Sequence, residues 1–165
     1  MINMKYILLL CISFVFLTSC GREEDLGAGY HYYYTSSIGR RIVKNGEAVV
    51  DTAVLGYSFN KKFIAVVRLV SERYRCEYKS AELKSSWGVD LQFIDQLEYY
   101  IIDKRTGEKQ VFRDKDEFYT QAIIVGIKDE VEVDQDIKAV ILNRRHLNEV
   151  DLRYCESMGS DSIDF

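Results

Sequence analysis

The chain lacks proline altogether, has only two histidines and one tryptophan, and shows no excess of basic residues. Its apolar fraction of 47% and charged fraction of 29% are those of an ordinary globular protein, which excludes a disordered tail, a collagen-like repeat or a porin-sized barrel. Lys and Arg number 22 against 26 Asp and Glu, a formal charge of −4. Because phosphate neutralisation needs a basic face, this balance argues against nucleic acid as a partner.

Residues that hold metals are also scarce. His31 and His146 are isolated in the sequence, and neither a Cys-x-x-Cys nor a His-x-x-x-His spacing occurs. The acidic segment from Asp129 to Asp136 resembles a calcium loop only superficially, because no glycine stands at its sixth position and no glutamate at its twelfth. We therefore expect no metal site. The alternation of acids with Val131 and Val133 in that segment predicts an edge strand with a solvated acidic face instead.

Signatures of catalysis and of cofactor binding are missing as well. Gly27-Ala28-Gly29 is not a phosphate cradle, because it has no strand before it and no helix after it. The serines at 36, 58 and 80 lack the flanking glycines of a nucleophile elbow. We expect no cofactor and no enzymatic activity. An enzyme would require a concave pocket with converging polar groups and perturbed pKa values.

The first 19 residues predict an export signal. Lys5 supplies a basic start, and an apolar stretch of 11 residues runs from Ile7 to Leu17, too short for a membrane span, which needs roughly 18. Leu17-Thr18-Ser19-Cys20 resembles the lipobox of bacterial lipoproteins. That resemblance implies cleavage before Cys20 and a diacylglyceryl group on its thiol, so that the mature protein is anchored to a membrane by several acyl chains.

The residues after Cys20 bear on which membrane face receives the protein. Gly21-Arg22-Glu23-Glu24-Asp25 lacks the aspartate directly after the cysteine that retains lipoproteins on the inner membrane of enteric bacteria. Its basic-then-acidic order resembles the surface-export signal of Bacteroidota lipoproteins. We therefore expect the bacterial cell envelope, at the outer membrane and with surface exposure as one outcome. An ordinary solvated linker is the equally weighted alternative.

Two cysteines remain after processing, because Cys11 leaves with the signal and Cys20 is acylated. An exported pair, Cys76 and Cys155, is a candidate disulfide. Two free thiols are the alternative, since spacing alone does not bring the α-carbons within the ~6 Å that a disulfide spans.

The body of the chain is rich in β-hairpin signals. Asn45-Gly46 lies between β-branched pairs, apolar runs at 54–59 and 63–70 flank Asn60-Lys61-Lys62, and Asp103 to Gly107 separates two further apolar runs. The apolar positions change parity beyond Val70, which predicts a bulge near Ser71-Glu72.

One helix is predicted from Lys115 to Val125. Asp114 is a capping residue, Glu117 stands at the capping-box spacing, and Gly126 follows as a stop signal. The predicted fold is α+β, an antiparallel sheet built from hairpins with this helix packed on it. We expect a lipidated cysteine and flexible tether over 20–29, a single globular domain over 30–142, and a polar C-terminal tail over 143–165.

Aromatic side chains are the one candidate for a binding surface. A strand places Tyr30, Tyr32 and Tyr34 on one face and Tyr33 on the other with His31. Tyrosine is common in recognition surfaces, so we expect Tyr32 and one more of the four to form an exposed patch. The alternative is that one set packs in the core and the other lies singly at the surface. The predicted core consists of Phe63, Val67, Tyr100, Ile102 and Phe118.

Three segments, at 25–30, 56–64 and 99–104, together with the helix that follows, resemble domain-of-unknown-function family 3997, a family of short bacterial lipoproteins. The family places Asp-Leu-Gly-x-Gly-Tyr just after the lipidated cysteine, and the chain matches it at Asp25, Leu26, Gly27, Gly29 and Tyr30. The resemblance covers roughly residues 20–127 and ends after Gly126. It implies location and fold, and brings no catalytic residues with it.

The function expected from these features is that of a non-enzymatic envelope lipoprotein that binds a protein or glycan partner. An immunity-type lipoprotein that neutralises a toxin fits the small size, the acidic charge and the anchor equally well. The sequence does not separate these two classes of partner.

Overall fold

The computed structural model describes residues 22–78, 86–127, 129–143 and 155–157. Within these ranges, eleven elements follow one another in chain order. They are β1 (Arg22–Gly27), β2 (Tyr30–Tyr34), β3 (Arg40–Lys44), β4 (Glu47–Val50), β5 (Val54–Phe59), β6 (Phe63–Tyr78), β7 (Ser86–Asp103), β8 (Lys109–Phe112), α1 (Lys115–Ile124), α2 (Gln135–Asn143) and β9 (Cys155–Ser157).

The strands form two antiparallel sheets. The first has the order β1-β2-β3-β4, and the second has the order β5-β6-β7-β8 with β9 added to β6. The predicted α+β class, mainly antiparallel and built from hairpins, is confirmed. The prediction of a single sheet and a single helix is wrong, because a second sheet and α2 are present.

The second sheet lies between the first sheet and the helices. One of its faces packs against the first sheet, and the other packs against α1, α2 and the segment between them. The face toward the first sheet carries Ile64, Val66, Tyr100 and Ile102. The opposite face carries Ala65, Val67, Tyr99 and Ile101. Side chains alternate between the two faces along each strand, and a layer covers each face, so both sets of side chains are buried.

Local turn signals are placed as the sequence predicts. Asn45 and Gly46 join β3 to β4 with φ angles of 52° and 90°, the left-handed pair that this hairpin turn requires and that glycine tolerates best. β5 pairs with β6 and β7 with β8, which confirms the other two hairpins. The predicted bulge also appears, as a shift of register between Leu69 and Ser71 where β6 pairs with β7.

The first helix begins and ends close to its predicted bounds. Asp114 accepts a hydrogen bond from the Glu117 backbone N–H at 2.8 Å, and α1 ends at Ile124, just before Gly126. No helix in the part of the chain that the structure describes is both long and apolar enough to cross a membrane.

Described strands lie outside the predicted globular range of 30–142 at both ends. The tether expected over 20–29 contains β1, which pairs with β2 and buries Leu26 in the core. The tail expected over 143–165 contains β9, which pairs with β6 far earlier in the chain. The pairing of β9 with β6 links residues that are distant in sequence, so local composition gave no sign of it.

The predicted acidic edge strand is also wrong. Residues 131–134 form no strand, and α2 begins at Gln135 after them. Val131 is buried and Val133 half-buried, which accounts for the apolar alternation that resembles a strand. Ile137 and Ile141 then follow helical spacing and pack beside Leu55 and Leu69.

Four of the five predicted core residues, Val67, Tyr100, Ile102 and Phe118, are buried. Phe63 is half-buried and packs at the edge of the cluster beneath α1, so its assignment to the interior is wrong. The difference follows from its place at the first position of β6, where the sheet ends.

Phe118 is the residue through which α1 holds to the sheet, because it is fully buried and its ring lies 5.0 Å from that of Tyr99. We expect Phe118→Ala to lower the free energy of unfolding by about 3–5 kcal/mol, since it leaves a cavity in the core. Ile123 lies on the same helix but is 72% exposed, so Ile123→Ala should change the free energy of unfolding by less than about 0.5 kcal/mol. Urea unfolding measures both values, and equal losses would contradict this assignment.

Candidate functional site

A pocket of about 360 Å³ opens where β1, β2 and β3 of the first sheet meet β5 and the start of α2. We call it the tyrosine–arginine pocket. It is lined by Arg22, Glu24, Tyr32, Tyr34, Arg40, Tyr57, Asp134 and Ile137. Five separate segments of the chain therefore contribute to one concave surface.

The structure divides the predicted tyrosine cluster. Tyr30 and Tyr32 are buried and belong to the core between the sheets, whereas Tyr33 and Tyr34 are half-buried. The predicted alternation is confirmed, but the expectation that Tyr32 is exposed is wrong, because it is only 5% exposed. Tyr32 is buried because the first sheet packs against the second on that face, whereas the prediction assumed a single sheet. Tyr32 still reaches the pocket through its hydroxyl.

Tyr33 lies on the opposite face of β2, away from the pocket. Its hydroxyl donates to Glu23 Oε1 at 2.9 Å, and His31 Nδ1 lies 2.8 Å from the same oxygen. The hydrogen bond to Glu23 raises the pKa of the Tyr33 hydroxyl. Tyr33 and Tyr34 are thus adjacent residues of similar exposure on opposite faces of one strand, of which only Tyr34 lines the pocket.

Arg40 is the centre of the pocket's polar contacts. Its Nε donates to the Tyr32 hydroxyl at 2.6 Å, and its Nη1 donates to Asp134 Oδ2 at 2.9 Å. The guanidinium carbon also lies 5.5 Å from the centre of the Tyr34 ring, a cation–π distance. Burial lowers the pKa of Arg40, but the hydrogen bonds to Tyr32 and Asp134 raise it overall. Arg40 is therefore a fixed positive charge held in one orientation.

A hydrogen bond in the pocket joins the second sheet to the first. The Tyr57 hydroxyl donates to Glu24 Oε2 at 2.5 Å, and the Tyr57 ring lies 4.5 Å from the Tyr32 ring. Burial, followed by the bond to Glu24, raises the pKa of the Tyr57 hydroxyl above its ordinary value. Tyr57 therefore keeps its proton and acts as a donor, and it cannot serve as a base near neutral pH.

Asp134 is positioned by the backbone before α2. Its N–H donates to the Leu55 carbonyl at 3.0 Å, and its Oδ1 accepts from the Ile137 N–H at 3.0 Å, which caps the helix. Glu132, two residues before Asp134, runs close to β5. A Cβ on Gly56 would lie 2.1 Å from the Glu132 carbonyl oxygen. Only glycine at 56 allows this approach, which brings Asp134 to Arg40.

The other predicted site residues lie elsewhere. Cys20 is outside the described residues. Cys76 on β6 and Cys155 on β9 are direct partners in the antiparallel pairing of those strands, although 79 positions separate them in the sequence. Within the described ranges, no three His, Cys, Asp or Glu side chains come together as metal ligands.

The arrangement suits recognition of a ligand by shape and hydrogen bonding. It offers tyrosine rings and fixed polar groups in a volume within the range of small-ligand sites, roughly 300–1,000 Å³. Sequence reasoning did not find Arg40, Tyr57 or Asp134. Asp134 and Arg40 are 94 positions apart, and only the packing of α2 on the sheets brings them together. The one local signal was Asp134 itself, a capping residue ahead of Ile137 and Ile141.

Comparison with protein-family models, with curated proteins and with solved structures finds no match to the chain. The resemblance to family 3997 therefore stays a prediction from the sequence.

The Arg40–Asp134 ion pair makes stability depend on pH. Burial raises the pKa of Asp134, but the Ile137 N–H and Arg40 outweigh it and lower that pKa below the ordinary value of 3.8. A carboxyl whose pKa is lower in the folded state stabilises above its unfolded pKa and loses that effect as pH falls through its folded pKa. We expect Asp134→Asn to be less stable than the parent at pH 7, by no more than about 1 kcal/mol because the pair is partly solvated.

This deficit should shrink as the pH falls below about 4 and through the lower folded pKa, because the parent's carboxylate then becomes protonated and loses its charge. Asparagine still caps the helix, so the variant isolates the effect of the charge. Asp136→Asn, an exposed carboxylate in the first turn of α2, is the matched control and should change the profile less. Urea unfolding across the acidic range gives the answer, and a deficit that stays constant down to pH 2 would contradict the assignment.

Proposed function

We propose that the protein is a bacterial envelope lipoprotein, anchored through acylated Cys20, that binds a protein or glycan partner in the tyrosine–arginine pocket and catalyses no reaction. The observation that supports binding is the pocket itself, in which Arg40 is fixed between Tyr32, Tyr34 and Asp134. Tyrosine and arginine are the residue types enriched where proteins recognise partners.

Five of the pocket's polar side chains are partnered with one another, which favours binding over catalysis. Arg40 is paired with Asp134, and Glu24 accepts from Tyr57. Tyr57 donates to the Glu24 carboxylate, but its raised pKa keeps the hydroxyl protonated, which disfavours its use as a nucleophile. The pocket's arginine and its aromatic rings are instead held rigid by these contacts, so a partner that docks there has little side-chain entropy to overcome at those positions.

A lipid on Cys20 would lie close to the pocket, because β1 follows it directly. β1 begins at Arg22, two residues after Cys20, and both Arg22 and Glu24 line the pocket. At ~3.6 Å per residue, the α-carbons of Cys20 and Arg22 are at most about 7 Å apart. An acyl group on Cys20 therefore puts this pocket beside the lipid headgroups, and its partner is a molecule that reaches the membrane surface.

We propose the outer membrane as the location, with display on the cell surface. The alternative is an ordinary solvated linker after Cys20 that carries no export signal. Protease added to whole cells tests the display: degradation ahead of a periplasmic marker supports it, and protection equal to that marker rules it out.

We expect Cys20→Ala to release the protein from the membrane with its fold intact, because the acyl chains supply the attachment. The measurement is the distribution between membrane pellet and soluble fraction after a high-salt wash, followed by circular dichroism of the released protein. Cys11→Ala, which alters the other cysteine of the export signal, is the control and should leave the protein anchored. A Cys20→Ala protein that still sediments with the membranes would show the anchor to be wrong.

Tyr34 and Tyr33 provide a matched pair for testing the pocket. A photo-crosslinking phenylalanine analogue at position 34 should give adducts with a partner in living cells, whereas the same analogue at position 33 should not, because Tyr33 lies on the opposite face. If the partner is a glycan, a glycan array should detect it. Tyr34→Ala should then weaken binding by about 2 kcal/mol or more, roughly 30-fold, and Tyr33→Ala should leave it unchanged.

The adducts also separate the two kinds of protein partner. Capture of a toxin at position 34 would give the protein an immunity role, and capture of another envelope protein would support a general binding module. Equal adducts at both positions, together with array binding that ignores Tyr34→Ala, would remove the pocket as the binding site.

A further inference from the structure

The last described strand carries a cysteine to a defined place on the second sheet. β9 pairs with β6 so that Cys155 is the direct partner of Cys76. The two neighbouring pairs are Arg75 with Glu156 and Tyr74 with Ser157.

The pairing of β9 with β6 brings the two cysteines to opposed positions, which their spacing in the sequence does not show. Residues directly opposed in an antiparallel pair have α-carbons about 4.5–5.5 Å apart, and both side chains leave the same face of the sheet. A disulfide requires α-carbons about 4.4–6.8 Å apart. Direct partners in antiparallel strands therefore meet the distance requirement without movement of the backbone. Cys76 and Cys155 are such partners.

We propose that Cys76 and Cys155 form a disulfide that holds β9 on β6. In the reaction, the thiolate of one cysteine attacks an exported thiol–disulfide oxidoreductase in its disulfide form, which gives a mixed disulfide and releases one thiolate of the oxidant. The thiolate of the second cysteine then displaces the oxidant. The protein loses two hydrogens, and the oxidant takes up the two electrons as a dithiol.

The disulfide stabilises a contact that is otherwise weak. β9 has three residues, whereas β6 and β7 pair along most of their length. A three-residue strand forms few ladder hydrogen bonds, so its pairing opens readily unless another constraint holds it. The disulfide closes the chain between 76 and 155 and keeps that end of β6 paired on both edges.

Formation of the bond in cells rests on the proposed export, because oxidising compartments are where such bonds persist. The test therefore has two arms on the full chain. In the first arm, the protein is solubilised from the envelope in detergent, its free thiols are alkylated in acid, and trypsin cuts it without reduction. We expect a linked pair of peptides, residues 76–79 joined to the peptide that begins at Tyr154, and loss of the pair after reduction.

In the second arm, the purified full chain is fully reduced and then reoxidised with oxidised glutathione in native buffer. The same linked peptides should form, whatever compartment the protein came from. Linked peptides in this arm with free thiols in the envelope sample would refute export and keep the pairing. Alkylated thiols at both cysteines in this arm, or linkage only between two molecules, would overturn the disulfide.

A variant with the β9 cysteine shifted by one position tests whether the disulfide depends on the pairing of β9 with β6 or forms whenever two thiols meet. Glu156→Cys in a Cys155→Ser background moves the thiol one position along β9, opposite Arg75. It should lose the linked peptide under the same conditions, because neighbouring positions of a strand face opposite sides of the sheet. Equal yield from this variant would show that the linkage does not depend on the pairing of β9 with β6, and would overturn the proposal.

Discussion

The fold depends on a sheet that is buried on both faces. Within β6, Ile64 and Val66 face the first sheet, while Ala65 and Val67 face α1, so one uninterrupted apolar run serves two cores. A half-buried strand would carry polar residues at every second position, and β6 has none from Phe63 to Val67. Because the other layers pack on this strand and its partner β7, a polar substitution at any of these positions places a polar group in one of the two cores.

The tyrosine–arginine pocket follows from the same layering. The first sheet and α2 cover opposite faces of the second sheet, so their side chains meet only past its edge, beside β5. Arg40 from the first sheet and Asp134 at the start of α2 form their ion pair at that edge, with side chains 16% and 36% exposed. The contact links the two outer layers, and Tyr34 lines the pocket beside it.

The sequence predicts those features that short stretches specify by themselves. Asn45-Gly46 fixes its hairpin because few residues tolerate left-handed φ angles, and Asp114 with Glu117 fixes the start of α1 because a side chain must satisfy its free N–H groups. Long-range pairing is different in kind. The tyrosines of β2 alternate as expected, yet which face is buried depends on a second sheet that their own sequence does not encode. The Arg40–Asp134 pair and the register of β9 depend on packing between distant segments, and no local pattern specifies either.

The first strand would join a lipid anchor on Cys20 to the domain. Its far end is held inside the protein, where Leu26 is buried and Lys104 Nζ donates to the Leu26 carbonyl and, at 2.5 Å, to that of Asn60. Its near end supplies Arg22 and Glu24 to the pocket. A lipid on Cys20 would therefore pull on a hydrogen-bonded strand instead of a loose tether, and the domain could not turn freely about its anchor. The pocket would then face the bilayer surface in a restricted set of orientations, which lowers the orientational cost of meeting a partner in that same surface.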